Sequence, residues 1–96
     1  MKLEHFHYLL EIHRFHSISA ASRKLHIGQT TLSAIVKAAE EEVGFQIFQR
    51  APEGVLTTSA GEKFMTLAWE INLQYEKLMA LKRRTTAGAP SINVLM

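Results

Sequence analysis

Residues 17–42 restrict the fold more than any other part of this chain, because they place helix-starting, turn and helix-ending signals at short spacing. Ser17 is a good N-cap, since its hydroxyl can accept a hydrogen bond from a backbone N–H at the start of a helix. Small residues and Leu25 follow at helical spacing, and residues 26–28 then interrupt the pattern. Gly28 is expected to supply whatever backbone angles the turn requires. The segment therefore predicts a short helix, a tight turn and a second helix.

The second helix of this pair is predicted to be amphipathic, with Gly44 as its C-cap. Its apolar positions, at steps of three and four, are Leu32, Ile35, Val36, Ala39 and Val43. Its first turns carry the polar side chains of Gln29, Thr30, Thr31 and Ser33. In a helix-turn-helix protein this end of the second helix enters the major groove of DNA, where such side chains meet bases and phosphates. An ordinary helical hairpin with a polar rim is the alternative interpretation of this segment taken alone.

The composition limits the class of protein. A length of 96 residues suits one small domain, and 47% hydrophobic residues can form a modest core. The net charge of +2 is weak for a nonspecific nucleic-acid binder, so any DNA affinity has to come from where the charges lie. Cysteine is absent, which excludes disulfides and thiolate metal sites. No apolar stretch has the length of a membrane span, and the sequence predicts a cytoplasmic protein without a membrane partner.

Three further elements complete a small domain around the helix pair. A first helix is predicted from Leu3 to just before Ser17, where apolar residues recur at helical spacing. Residues 45–50 are typical of a strand, residues 51–54 of a turn, and residues 55–57 of a short return strand. Together these elements predict a mainly α fold, with a three-helix core and a two-stranded wing.

A long helix is predicted to follow the wing. From residue 60 to about Arg84 no proline is present, and no glycine interrupts the chain after Gly61. Thr58 or Ser59 is the expected N-cap, and a capping box is expected from Glu62, three residues after the serine. Such a helix is too long to fold back on so small a core and is expected to project from it.

The long helix carries apolar residues at alternating steps of three and four, which is the spacing of a coiled-coil seam. These seam residues are Phe64, Leu67, Ile71, Tyr75, Leu78 and Leu81. A seam of this length needs a partner helix, so it predicts a dimer. Trp69, Met65 and Met79 flank the seam and are expected to contribute to dimer packing rather than to a ligand site.

The titratable residues do not predict catalysis or a metal centre. Five histidines lie among the first 26 residues, but their spacing favours surface histidines over a metal site. His13 is interpreted either as a satisfied core histidine or as a mildly destabilising polar residue. The run of glutamates at residues 40–42 is expected to be a solvated face, with Glu40 pairing locally at most. No nucleophile with its base and no phosphate loop is found, so the sequence predicts neither an enzyme nor a cofactor.

Four local phrases occur in the order found in LysR-type transcriptional regulators, and the chain resembles the N-terminal region of that family over residues 1 to about 84. The phrases are Ser17-Ile-Ser-Ala-Ala21, Leu25-His-Ile-x-Gln-x-x-Leu-Ser33, Glu40-x-x-x-Gly44-x-x-Ile-Phe-x-Arg50 and Thr58-x-Ala-Gly61. The resemblance implies a winged helix-turn-helix over residues 1–58 and a linker helix over 59–84 through which the protein forms a homodimer. It also implies a C-terminal domain that senses a small-molecule effector. Residues 85–96 are expected to be a hinge and the truncated start of that domain, which makes the chain a DNA-binding fragment.

The resemblance further implies double-stranded DNA as the partner and assigns contacts to individual residues. Residues 29–33 are expected to inspect bases. Phosphate contacts are expected from Lys24, Lys37 and Arg50. The complete set of predicted DNA contacts is Ser17, Lys24, Gln29, Thr30, Thr31, Ser33, Lys37 and Arg50.

The chain departs from the family pattern at several predicted contacts. Thr30 replaces a usual proline, Ala34 and Ile35 replace a usual arginine and glutamine, and Leu56 lies where the family often has a basic residue. Direct base contact is therefore expected to be weaker or different. Two alternatives stay open: a dimerisation module that no longer binds DNA, and another winged-helix regulator such as a molybdate-responsive type.

Overall fold

The fold class predicted from the sequence is confirmed. The computed structural model describes the backbone of residues 1–88 and the side chains of residues 1–82. Its elements are α1 (Leu3–Phe15), α2 (Ile18–Leu25), α3 (Gln29–Val43), β1 (Phe48–Ala51), β2 (Gly54–Thr57) and α4 (Ser59–Gly88). Helix α4 extends beyond its predicted end near Arg84, so residues 85–88 of the expected hinge are helical. The rest of the expected hinge and of the expected start of a further domain, residues 89–96, lies outside the described residues.

The core forms where α1, α2 and α3 meet the base of the wing and the start of α4. Its buried residues are Leu9, Ile12, Ala21, Leu32, Val36, Ala39, Ile47, Phe48, Val55 and Met65. Met65 is only 4% exposed, so the expectation that it contributes to dimer packing is wrong. It lies on the same side of α4 as Gly61 and Ala68, which are also buried. None of the described helices is both long and apolar enough to cross a membrane.

In the turns that follow α1 and α2, the residue with left-handed backbone angles is a histidine and not a glycine. Ser17 caps α2 as predicted, because its Oγ accepts a hydrogen bond from the Ala20 N–H at 3.0 Å. His16 and His26 end α1 and α2 with φ of 54° and 59°. Gly28 has φ −67° and ψ 145°, which any residue can adopt, so its expected conformational role is not used. The residue of this turn with unusual backbone angles is His26.

The wing is a two-stranded antiparallel hairpin that docks on the end of α1. Phe48 pairs with Thr57 and Ala51 with Gly54. The Val55 N–H donates to the His16 carbonyl at 3.0 Å. Gly54 has φ +144°, and a Cβ there would collide with the same carbonyl oxygen. Strand β1 begins at Phe48 rather than at the predicted residue 45, so the wing is shorter than expected.

Thr58, not Ser59, is the N-cap of α4. Its Oγ1 accepts a hydrogen bond from the Gly61 N–H at 2.9 Å and lies 2.6 Å from the Gln46 carbonyl, to which it donates. With Thr58 as N-cap, the third helical residue is Gly61, so the capping box expected from Ser59 and Glu62 does not form. Gly61 also lies against the Ile47 backbone, where a Cβ would collide with the carbonyl oxygen. The helix therefore starts in direct contact with the residue that precedes the wing.

Candidate nucleic-acid interface

The N-terminal end of α3 is an exposed polar surface. Gln29, Thr30 and Thr31 are exposed, and Ser33 is half-buried. Gly28 occupies the N-cap and has no side chain, so no side-chain cap bonds to the first N–H groups of the helix. These groups carry the positive end of the helix dipole, which attracts anions such as phosphates. The predicted base-contact residues thus share one end of one helix.

A groove of about 360 Å³ separates α3 from the wing. Three of the predicted DNA contacts line it, namely Ser33, Lys37 and Arg50. Lys37 and Arg50 are exposed, so two cations from different elements border the same groove. Gln46 and Gln49 add neutral polar side chains to its wall. The structure therefore brings together contacts that lie far apart in the sequence.

The predicted contacts Ser17 and Lys24 belong to α2 and its N-cap. The Ser17 hydroxyl accepts the capping bond of α2, which leaves its proton for one further acceptor. Lys24 is exposed in the last turn of α2. Neither side chain lines the groove between α3 and the wing. Lys24 is therefore not one of the cations that border the groove.

Glu40 has a structural role that the sequence did not predict. Its Oε2 accepts hydrogen bonds from the Ile47 N–H at 2.8 Å and the Phe48 N–H at 3.1 Å. The expectation of a solvated face is therefore wrong for this residue, although it holds for Glu41, which is exposed. Two amides that have no partner in the hairpin are satisfied in this way, and the wing is fixed to α3. No local sequence pattern indicates this contact, since Glu40 lies eight residues before the start of β1.

His13 links α1 to the wing and to α4. Its Nδ1 lies 2.7 Å from Thr57 Oγ1, and its Nε2 lies 3.9 Å from Glu62 Oε1. The ring of His16 is 6.1 Å away between centroids. His13 is thus hydrogen-bonded, but its side chain is 32% exposed, which places it at the edge of the core rather than within it. In the described part of the chain no group of three or more histidine and carboxylate side chains is placed to hold a metal ion.

The predicted dimer seam is only partly available on the surface. Leu67 is 60% exposed and Leu78 is 55% exposed, and Ile71 and Leu81 are also exposed. Tyr75 is half-buried. Phe64 is also half-buried, and its ring lies 6.1 Å from that of Phe6 between centroids. The surface that a partner helix could cover therefore begins near Leu67, three residues later than the predicted seam.

Comparison with known proteins identifies the family. Residues 3–62 match the family model described as bacterial regulatory helix-turn-helix protein, lysR family. The chain belongs to the LysR family. The match includes α1, the helix-turn-helix, the wing and the start of α4 of this LysR-family chain. It confirms the resemblance found in the sequence.

Two relatives of this LysR-family chain are transcriptional regulators that are much longer. It is 30% identical to the transcriptional regulator AlsR of Bacillus subtilis over 95 residues, which is 99% of this chain and 32% of AlsR. It is 28% identical to BenM of Acinetobacter baylyi over 94 residues, which is 98% of this chain and 31% of BenM. The chain thus spans about a third of the length of these two relatives.

Solved structures agree with this assignment. The BenM_DBD chain in its complex with catB site 1 DNA is 30% identical, with a TM-score of 0.82, and the match covers 92% of this chain and 95% of that one. CbnR, a LysR family transcriptional regulator, has a TM-score of 0.81 at 22% identity, covering 88% of this chain and 29% of CbnR. The likeness to CbnR supports the winged-helix fold alone.

Proposed function

We propose that this chain is the DNA-binding part of a transcriptional regulator and that it places α3 in the major groove of double-stranded DNA. One observation carries the proposal: the exposed, uncapped polar end of α3 lies beside a groove bordered by two cations, Lys37 and Arg50. The BenM_DBD chain, 30% identical and similar over nearly its whole length, was solved in complex with DNA. The likeness supports the same partner for this chain.

The roles follow from side-chain chemistry and position. Gln29, Thr30, Thr31 and Ser33 present amide, hydroxyl and methyl groups to base edges. Lys24, Lys37 and Arg50 supply phosphate contacts, and the spare proton of Ser17 can be donated to a phosphate at the start of α2. Catalysis has no part in this function, and sensing of a small-molecule effector is expected of a further domain in the longer protein.

We further propose that the protein acts as a homodimer in the cytoplasm, on the DNA of the nucleoid. Two copies joined through α4 would present two α3 helices to two half-sites of a pseudo-palindromic operator. The exposed apolar residues of α4 support this assembly, since a monomer would leave them in water. The alternative, a dimerisation module that does not bind DNA, lacks an explanation for the two cations beside the polar end of α3. Another winged-helix family, such as the molybdate-responsive type, is not favoured by the LysR-family match.

Fluorescence anisotropy tests the proposal directly. A labelled duplex from upstream of the protein's own gene and a scrambled duplex are titrated with the chain at low and at physiological salt. Tighter binding to the native duplex that survives physiological salt is expected of a sequence-specific regulator. Equal binding to both duplexes, or none, at both salt concentrations would favour the dimerisation module instead.

A further inference from the structure

The base-facing part of α3 carries no charge, which restricts the bases it can recognise. The first charged residue of this helix is Lys37. It lies eight residues after Gln29, which is about 12 Å along the axis at 1.5 Å per residue. The major groove is itself about 12 Å wide. A helix that enters with its first residues at the bases therefore holds Lys37 at the edge of the groove, near the phosphates.

The residues that point away from the core in these first turns present methyl groups. Leu32 is fully buried and marks the inner side of α3. Thr30 and Ala34 each lie two residues from Leu32, or about 200° around the helix, and both are exposed. They are four residues apart, so their side chains are neighbours on one face. The outermost surface of the first two turns is thus a pair of methyl groups beside the Thr30 hydroxyl.

Gln29, the first residue of α3, adds an exposed amide at the N-terminal end of the helix. A glutamine amide can donate and accept at once, and the adenine edge in the major groove presents N6 as donor and N7 as acceptor. Guanine presents two acceptors, O6 and N7, which arginine or lysine satisfies best. Of the two cations in the last turn of the preceding helix, Arg23 donates to Ser19 Oγ at 2.9 Å, and Lys24 is proposed above to contact phosphates. The exposed groups of α3 therefore match adenine and thymine and leave guanine without a strong partner.

These observations, together with the proposed DNA binding on which this inference rests, indicate which type of base pair α3 recognises. We infer that α3 recognises A·T base pairs, with Gln29 on adenine and the methyl groups of Thr30 and Ala34 on thymine C5-methyl groups, and that it makes no direct guanine contact. Thymine methyl groups are the one apolar feature of the major groove, and alanine and threonine methyls are suitable partners for them.

Modified duplexes test this directly. The chain is first used to enrich duplexes from a random library, and each thymine of the enriched sequence is then replaced singly by deoxyuridine, which pairs identically but lacks the methyl group. Replacement at a contacted thymine is expected to weaken binding by about fourfold, the factor that corresponds to one buried methyl group. Replacement outside the recognised base pairs serves as the control and is expected to have no effect.

Two variants of one residue assign the contact. Thr30→Val keeps a methyl group and loses the hydroxyl, so the affinity of this variant should still fall about fourfold when one contacted thymine is replaced by deoxyuridine. Thr30→Ser keeps the hydroxyl and loses the methyl, so it should bind the thymine and deoxyuridine duplexes equally. A third variant, Ala34→Arg, places a cation on the base-facing surface and should add a preference for a G·C pair.

Three results would overturn the inference. Enriched sequences that require guanine, with lower affinity when 7-deazaguanine removes N7, would mean direct guanine contact, and the DNA-binding function would stand. An A·T preference without any deoxyuridine effect would mean that duplex shape is recognised instead of methyl groups. The absence of any enrichment would overturn this inference and the proposed function together.

Discussion

At the scale of single residues, the close approaches of backbone segments decide which positions tolerate change. The two left-handed helix ends at His16 and His26 are occupied by residues with a Cβ, so conformational strain alone does not demand glycine there. Gly54 and Gly61 are different, because backbone carbonyl oxygens occupy the space that a Cβ would need. The glycines in the sequence predicted most of the turns correctly. They did not show which glycines cannot be replaced because distant parts of the chain lie against them.

Gly61→Ala is expected to lower the free energy of unfolding by about 3 kcal/mol, because the Ile47 carbonyl and the Thr57 methyl lie where the new Cβ would be. Gly44→Ala is the control. Its φ is +83°, but nothing lies within 4 Å of an added Cβ, so only the backbone cost of about 1–2 kcal/mol applies. Urea denaturation measures both. Equal costs for the two variants would contradict the close contact at Gly61.

Arg50→Ala is expected to weaken binding to every duplex by a similar factor and to reduce the salt dependence by about one unit of slope. The reason is that Arg50 lines the groove beside α3 and carries one positive charge, while sequence preference comes from α3. Gln49→Ala, the adjacent neutral residue in β1, is the control and should leave the slope unchanged. Anisotropy titrations at several salt concentrations give both slopes. A change in sequence preference without a change of slope would reassign Arg50 to the bases.

Thr31→Ala provides the opposite pattern. It removes a hydroxyl and a methyl from the exposed end of α3 without changing charge, so sequence preference should relax while the salt slope stays the same. Titration of the enriched duplex and a scrambled duplex measures the ratio of affinities. A uniform loss on both duplexes would show that Thr31 contacts the backbone and not a base.

At the scale of secondary-structure elements, the periodic patterns predicted the helices well. Contacts between different elements were not predicted. The predicted helices over residues 3–16, 18–25 and 29–43 agree with α1 to α3, since the apolar spacing of each follows the face buried in the core. The first strand was predicted three residues too early, because the apolar Phe45 and Ile47 alternate with Gln46 as in a strand, although this segment lies outside β1. Glu40, which accepts hydrogen bonds from the Ile47 and Phe48 N–H groups, belongs to another element, α3. No local sequence pattern identifies this contact.

Glu40→Ala is expected to destabilise the fold by about 2 kcal/mol, because the amides of Ile47 and Phe48 would lose a charged acceptor in a buried region. Glu41→Ala is the matched control on the same helix. Its side chain is exposed, so a change within about 0.5 kcal/mol is expected. The midpoint of urea unfolding compares the two variants. A loss as small in Glu40→Ala as in its neighbour would mean that water satisfies both amides.

At the scale of the whole molecule, helix α4 has two parts with different surroundings. Its 30 residues span about 45 Å. Gly61, Met65 and Ala68 are buried against the domain, whereas none of the side chains from Trp69 to Lys82 is buried. The sequence correctly predicted a helix that projects from the core. It could not separate residues that pack within the chain from those left for a partner, since Phe64 and Leu67 have the same apolar spacing.

Ile71→Glu is expected to convert the proposed dimer into a monomer, because a carboxylate at the centre of an apolar seam would have to be desolvated against the partner helix. Ile71 is 38% exposed in the single chain, so the substitution should leave the domain folded. Lys77→Glu introduces the same side chain at an exposed position outside the predicted seam and should leave the mass unchanged. Sedimentation equilibrium measures the mass of both variants. A dimer that persists in Ile71→Glu would place the interface elsewhere. A monomer that still binds one half-site, but binds a palindromic duplex no more tightly than a single half-site, would connect the seam of α4 to operator recognition.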